Sequence, residues 1–279
     1  MTVVVGIQTT DGLVLASDSA TTQQLALVGG GYATSSIWNS ANKIFNLRKS
    51  WPIGAMTFGR AAIGGLSIAT HAKDLRLRLS GAMPDTAFPA LDDDTYSVEK
   101  VAQTVLDYYR NQSNLDPGDD LGFIVGGFSA TERRPEMWQV NVSESGDTIE
   151  CVVAPGDPGI VTQGMTDAIT RLVDGAGLGL GAALEKMGVP AGSGDAAAEQ
   201  LRDQLRMAWA WPGMPLGETI DMARFLVETQ INFVRFMPGD AMVGGPVEVA
   251  ALTKHEGFKW VQRKHYYNAK LNPEEGEGL

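Results

Sequence analysis

Thr2 stands directly after Met1, a position from which a threonine can act as a nucleophile. A threonine hydroxyl is a weak nucleophile and needs an adjacent base. If threonine is the first residue, its own α-amine supplies that base, because an ordinary amine pKa of about 7.7–8.0 leaves a usable neutral fraction at neutral pH. The small side chain of Thr2 favours removal of Met1. The sequence therefore predicts Thr2 as a nucleophile once Met1 has been removed.

Asp18 and Lys43 are the charged residues that fit beside such a nucleophile. A lysine ammonium close to the hydroxyl would lower the hydroxyl pKa and oppose protonation of the amine. A buried lysine needs a carboxylate partner, because an unpaired buried charge is costly. Both residues lie at the ends of predicted strands, so both can reach the sheet edge that carries Thr2.

The segment 2–17 predicts a hairpin that brings Asp18 back to Thr2. Residues 2–8 are mostly β-branched, Asp11-Gly12 is a strong turn signal, and 13–17 reads as the return strand. A turn centred near residue 11 gives paired positions that sum to about 22. This places Thr2 opposite Ala20 and Asp18 opposite Val4, as a diagonal neighbour of Thr2.

The rest of the chain alternates blocks of strands with blocks of helices. The polar, glycine-bearing segment 23–36 is predicted as a loop. Strands are predicted at 43–47, 52–58, 121–128, 136–142, 148–154, 245–254 and 258–263, and helices at 60–80, 96–112, 165–187, within 188–216 and at 218–236. Segregated blocks of this kind favour an α+β fold with two sheets and helical layers over a doubly wound sheet.

Three segments resemble the N-terminal half of proteasome β subunits. They read Thr-Val-Val-Val-Gly from Thr2, Asp-Gly-Leu-Val-Leu-Ala-Ser-Asp-Ser from Asp11, and Asn-Lys-Ile-Phe from Asn42. This resemblance implies the N-terminal-nucleophile hydrolase fold, a four-layer αββα sandwich. It also implies that Thr2 is the nucleophile, with Asp18 and Lys43 as its charged partners.

Two further segments extend the resemblance. In the segment from Gly54 to Ala62, it implies that the Gly59 N–H donates to the oxyanion. It further implies that the backbones of Thr22 and Ala61 hold an extended peptide. In the second segment, Pro-Gly-Asp-Ala-Met-Val-Gly-Gly, Asp240 matches an aspartate of the family's turn.

The sequence departs from the family pattern at two serines that hydrogen-bond the nucleophile's amine. One position is Val243, which cannot hydrogen-bond through its side chain. The other is Gln163, which remains a possible partner for the amine network. These departures, together with extra residues at 23–36 and 188–216, suggest a divergent bacterial-type branch.

Length and composition bound the remaining expectations. We predict one domain at 1–268, with insertions near 23–36 and 188–216, and a disordered tail at 269–279. The formal charge of −11 makes nucleic acid and anionic membrane unlikely partners. The N-terminus lacks a secretory signal, so the expected location is the cytoplasm. The sequence suggests neither a metal site nor a cofactor, and the single cysteine, Cys151, is expected in the core.

The predicted function is a threonine-type peptidase that cleaves peptide or protein substrates. The resemblance implies a homo-oligomer, as a ring or related assembly, and leaves open an ATPase partner of unknown identity. Two alternatives remain. One is an amidohydrolase for small amides on the same fold, since fold does not set substrate. The other is a catalytically silent assembly or scaffold subunit, suggested by Gln163 and Val243.

Overall fold

A computed structural model describes residues 1–26, 31–83, 91–112 and 120–266. Its strands are β1 (Val3–Gln8), β2 (Gly12–Ser17), β3 (Thr21–Ala26), β4 (Tyr32–Trp38), β5 (Ile44–Asn46), β6 (Ile53–Gly59), β7 (Ala62–Ile63), β8 (Leu66–Ser67), β9 (Leu121–Gly127), β10 (Glu136–Val142), β11 (Thr148–Val153), β12 (Gly159–Gly164), β13 (Glu248–Thr253) and β14 (Gly257–Gln262). Its helices are α1 (Ile68–Leu79), α2 (Val98–Gln112), α3 (Asp167–Val173), α4 (Leu180–Lys186), α5 (Gly194–Leu205) and α6 (Leu216–Arg235). The predicted tail at 269–279 lies outside the described residues.

Two five-stranded antiparallel sheets form the centre of the molecule. The first has the order β12-β1-β2-β13-β14 and the second has the order β11-β10-β9-β6-β5. In the first sheet, β1, the strand that follows Thr2, lies between β12 and β2. Every neighbouring pair in the second sheet is antiparallel as well.

Both faces of each sheet are covered, which explains the long apolar strands. Along β1, Val4 packs between the sheets against side chains such as Met137, whereas Val3 and Val5 pack on the other face against α6. Alternate residues of a strand point to opposite faces, so a strand buried on both sides is apolar throughout. On the second sheet, α1 and α2 supply the outer layer. The predicted four-layer αββα sandwich is confirmed.

The register of the first hairpin differs by one residue from the prediction. The observed pairs sum to 21, with Val4 opposite Ser17 and Gln8 opposite Leu13. The Thr9 N–H donates to the Gly12 carbonyl (2.9 Å), so Thr10 and Asp11 form a two-residue turn and Gly12 already belongs to β2. Asp18 therefore lies beside Val3, not Val4, and Ala20 is not the residue opposite Thr2.

Three other predictions were wrong in detail. Most of the predicted loop at 23–36 belongs to the β3–β4 hairpin, with 27–30 outside the described residues. The helix predicted at 60–80 begins only at Ile68, after the small β7–β8 hairpin, where the Ser67 side chain accepts from the Thr70 N–H as an N-cap. The helix predicted at 165–187 is divided into α3 and α4 by a glycine-bearing segment.

Two more features of the described residues complete the fold. Cys151 is exposed on β11, an edge strand of the second sheet, and is not in the core as predicted. Within the described ranges, no helix has both the length and the apolar character needed to cross a lipid bilayer.

Gly164 ends β12 at a point where a side chain cannot be accommodated. Its φ is +89°, and an added Cβ would lie 1.9 Å from the Thr2 carbonyl oxygen. We expect Gly164→Ala to lower the free energy of unfolding by about 1–2 kcal/mol for the left-handed backbone and by about 1–3 kcal/mol more for the clash. The measurement is urea denaturation.

Gly192→Ala is the matched control. Gly192 has a similar φ of +81°, but an added Cβ there would contact nothing within 4 Å. This variant should show only the backbone part of the loss. Equal losses in the two variants would contradict the close approach of Gly164 to the Thr2 carbonyl.

Candidate active site

The Asp18 carboxylate is fully buried and accepts four hydrogen bonds. Its Oδ1 accepts from Lys43 Nζ (2.5 Å) and from the Val3 N–H (3.0 Å). Its Oδ2 accepts from the N–H groups of Ala20 (3.0 Å) and Gly244 (3.1 Å). A buried carboxylate is tolerated only when its acceptor sites are satisfied in this way. The sequence-predicted contact between Asp18 and Lys43 is present.

Lys43 approaches Asp18 from the second sheet. It immediately precedes β5, and its carbonyl accepts from the Thr57 N–H of β6 (2.9 Å), which fixes its backbone. Only 5% of the side chain is exposed. Burial lowers the pKa of the Lys43 ammonium, and the neighbouring Asp18 carboxylate opposes that shift in part. The pair therefore joins the two sheets at one edge of the core between them.

Thr2 is held at the same edge by its backbone. Its carbonyl accepts from the Met165 N–H (2.7 Å), and the following peptide N–H, that of Val3, donates to Asp18. Strand alternation assigns the Thr2 side chain to the face of Val4, which packs between the sheets. Thr2 is 6% exposed. The structure thus brings Thr2, Asp18 and Lys43 together.

The amino group of Met1 lies within electrostatic reach of this cluster. It donates to Thr22 Oγ1 (3.4 Å). The pKa of this amine is lowered from its ordinary value, first by burial and then by the Lys43 ammonium, while the Asp18 carboxylate opposes the shift. Met1 as a whole is half exposed. An amine at this end of the chain is therefore biased toward its neutral, basic form.

Gly59, Ala61 and Asp240 occupy different environments. Gly59 ends β6 with φ +84°, and a Cβ there would lie 2.2 Å from the Asp120 carbonyl oxygen, so only glycine fits. The Ala61 carbonyl accepts from the Ile68 N–H (3.1 Å) and closes the β7–β8 hairpin. Asp240 is exposed, and among the described residues no hydrogen bond or ion pair joins its side chain to Thr2 or its two charged partners.

The two positions that depart from the family pattern do not contact the amine through polar groups in the described part of the chain. The Gln163 side chain donates to Gln139 Oε1 (2.8 Å), which ties β12 to the opposite sheet. Val243 is buried in the core between the first sheet and α6. Asp18 instead accepts from the Gly244 N–H, a contact that sequence reasoning missed although Gly244 belongs to the matched turn.

A second buried ion pair beside Asp18 was also missed. Lys264 Nζ lies 2.6 Å from Glu248 Oε2 and donates to Ser19 Oγ (2.8 Å). The Ser19 hydroxyl donates in turn to the Pro246 carbonyl (2.5 Å). The sequence holds one signal for this pair. Glu248 is the only carboxylate in an otherwise apolar strand, and a buried carboxylate is almost always paired. In the described ranges, no group of three or more ligand-type side chains could hold a metal ion.

Comparison with solved structures finds a similar fold. No protein-family model matches the chain, and no curated protein matches it either. A solved structure of the Gly-1 mutant of Anbu from Hyphomicrobium sp. strain MC1 aligns over 95% of this chain and 87% of its own. The two are 18% identical, with a TM-score of 0.49. The candidate site therefore rests on the residues and geometry of this chain.

The Asp18–Lys43 pair should make a large, non-additive contribution to stability. Removing one partner leaves the other charge buried and unpaired, so we expect Asp18→Asn and Lys43→Met each to lower the free energy of unfolding by about 3–5 kcal/mol. The double variant should lose less than the sum of the two single losses. Urea denaturation of the four proteins measures the coupling.

The exposed pair Asp221–Arg224 provides the control for this comparison of single and double variants. Asp221→Asn removes the same type of charge at a solvated position and should cost at most about 1 kcal/mol. Additive losses in the Asp18 and Lys43 variants would mean that the two buried charges do not depend on each other.

Proposed function

We propose that the protein is a threonine-type hydrolase in which Thr2, after removal of Met1, attacks an amide carbonyl. The observation that carries this proposal is the Asp18 carboxylate, which links the Lys43 ammonium to the peptide group that follows Thr2. Nucleophilic catalysis by threonine requires a base and a group that favours loss of the hydroxyl proton. In this proposal the Thr2 amine is the base and Lys43 is that group; the effect of Lys43 on the pKa of the neighbouring Met1 amine supports the assignment.

In the proposed reaction, Thr2 Oγ1 attacks the carbonyl carbon while its proton passes, through a water, to the Thr2 amine. The Gly59 N–H donates to the oxyanion that forms; one such donor is typically worth about 10²–10³ in rate. The amine then protonates the leaving nitrogen as the C–N bond breaks, which leaves an ester on Thr2. Water attacks this ester, with the amine again as base, and releases the acid and the free hydroxyl.

Lys43 and Asp18 have separate roles in this mechanism. The Lys43 ammonium stabilises the developing alkoxide and disfavours a second positive charge on the amine. Asp18 keeps Lys43 charged and oriented, because its other acceptor sites are already fixed by backbone N–H groups. In this proposal Asp240 acts only indirectly, as part of the turn that carries Gly244, whose N–H donates to Asp18.

We propose peptide or protein substrates, bound in extended form by the backbones of Thr22 and Ala61. An added strand of this kind is held by main-chain hydrogen bonds and tolerates many side chains. Thr22 lies in the β3–β4 hairpin, next to the Met1 amine, which supports a path for substrate past the nucleophile. A small amide remains the alternative substrate, and a panel of fluorogenic peptides and acyl amides distinguishes the two.

We further propose a cytoplasmic homo-oligomer of the proteasome-like type, as a ring or related assembly. Large apolar side chains near α6 support a subunit contact, since Met207, Trp211 and Phe236 are 62%, 59% and 81% exposed. An ATPase partner would act on such an assembly, and its identity stays open. A silent scaffold subunit is the second candidate, supported by Val243 in the core and by Gln163 bound to Gln139.

Intact mass and turnover test the nucleophile together. We expect purified protein to lack Met1 and to gain one adduct, on Thr2, from a threonine-directed epoxyketone. Thr2→Ala should reduce hydrolysis at least about 10⁴-fold, as removal of a nucleophile does elsewhere, and Thr2→Ser should retain activity. Alanine is also small, so Met1 removal is preserved in the inactive variant.

Thr10→Ala is the matched control, because Thr10 lies in the turn of the same hairpin, away from Asp18. Normal turnover by Thr2→Ala would refute the nucleophile. Full retention of Met1, with no adduct, would favour the scaffold subunit.

The amine also predicts the pH dependence of hydrolysis. The active amine is neutral, so kcat/KM should rise with pH as the ammonium loses its proton. Burial and Lys43 lower the pKa of the Met1 amine below 8.0, and the Thr2 amine, one residue nearer to Asp18, should shift in the same direction. The midpoint of the acidic limb should thus lie below 8.0. A midpoint above that value would exclude the amine as the base in this environment.

A further inference from the structure

A small basic pocket lies on the outer side of β5, formed by three parts of the chain. Lys73 and Arg76 come from one face of α1, and Arg263 follows directly after β14. The remaining lining residues are Asn42, Ile44, Phe45, Asn46, Ala69 and Trp260, and none of the lining residues is acidic. In a chain with a net charge of −11, this concentration of positive charge is unusual.

The three cations of this pocket lack the ion pairs that other basic residues form. Elsewhere in the described ranges, Arg48 and Arg206 contact carboxylates. Among the same residues, no ion pair reaches Lys73, Arg76 or Arg263. Burial and the nearby Arg263 guanidinium both lower the pKa of Arg76, with no carboxylate opposing them. Like charges held together in this way repel each other until an anion neutralises them.

The position of one of these cations is fixed by an aromatic ring. The Arg263 guanidinium lies 4.8 Å from the centre of the Trp260 ring, which restricts its position. The positive charge of Arg263 is therefore held at the pocket.

These features together select a small oxyanion with more than one negative charge. The cavity has a volume of about 70 Å³, which suits a small group. A phosphate group has several anionic oxygens for the arginine and lysine donors and carries up to two negative charges. A carboxylate has a single negative charge, so it neutralises three cations less well.

We propose that the pocket formed by Lys73, Arg76 and Arg263 binds a phosphate group. The guanidinium groups of Arg76 and Arg263 donate to its oxygens, and the Lys73 ammonium contributes a third positive charge. The proposal does not rest on hydrolysis at Thr2, because neither Thr2 nor Asp18 lines the pocket. The phosphate is either the free ion or a group on a larger molecule.

Isothermal titration calorimetry of the full chain tests this inference. Inorganic phosphate and glycerol phosphate are titrated in parallel at constant ionic strength, with sodium chloride as the blank. We expect saturable binding of at least one of the two phosphates, and the tighter one identifies the source. Arg76→Gln and Arg263→Gln should each raise the dissociation constant at least about tenfold, as expected when one charge-assisted contact is lost.

Lys259→Gln is the matched control, since Lys259 is an exposed cation on β14 next to Trp260 but outside the pocket. It removes the same charge and should change the dissociation constant no more than about twofold. Arg263 is exposed, so its variant remains informative even if Arg76→Gln unfolds. The proposal is overturned if neither phosphate binds beyond the chloride blank, or if Lys259→Gln weakens binding as much as Arg263→Gln does.

Discussion

A buried carboxylate determines how the candidate site is built. Asp18 has no contact with solvent, so each of its acceptor positions must be met by a protein donor. The donors come from segments far apart in the sequence: Val3 in β1, Lys43 before β5 and Gly244 after α6. Because Val3 and Lys43 belong to different sheets, the position of the carboxylate fixes the distance between the sheets at this edge.

The layered fold makes that arrangement possible. The core between the sheets contains apolar residues such as Val4 and Met137. The charged residues of the candidate site lie directly before or after the ends of strands. At those ends, glycine allows backbones to approach more closely than other residues would permit. Gly164 lies against the Thr2 carbonyl, and Gly59 against the Asp120 carbonyl. Close backbone packing thus positions Thr2 by its main chain, and strand alternation assigns its side chain to the face between the sheets.

Much of this was predictable from local patterns in the sequence. The apolar hairpin and the pairing of Asp18 with Lys43 follow from strand periodicity and from the cost of an unpaired buried lysine. The register did not follow, because the Asp11-Gly12 signal competes with a turn at Thr10-Asp11 that leaves the same strands in place. An error of one residue in the turn moves every partner, although both registers look equally apolar along this doubly buried strand.

The other differences between the predicted and the observed structure have separate physical causes. The β3–β4 hairpin is polar, so alternation of apolar residues cannot reveal it. The division of the helix predicted at 165–187 depends on glycines whose effect on an otherwise helical pattern varies with tertiary packing. Likewise, the pair formed by Glu248 and Lys264 joins the start of β13 to the segment after β14, and only its acidic member carries a signal in the sequence.

The second ion pair also bears on the basicity of the amine. Asp18 with Lys43, and Glu248 with Lys264, form two neutral units that Ser19 connects, and Lys264 and Glu248 act in opposite directions on the pKa of Lys43. A protonated amine added to this group would be an unbalanced positive charge in a largely buried setting. The pKa of the Met1 amine is lowered, first by burial and then by the Lys43 ammonium, and we expect the Thr2 amine to shift in the same direction. A site balanced without the amine thus keeps the amine available as a base, which is what attack by Thr2 would require.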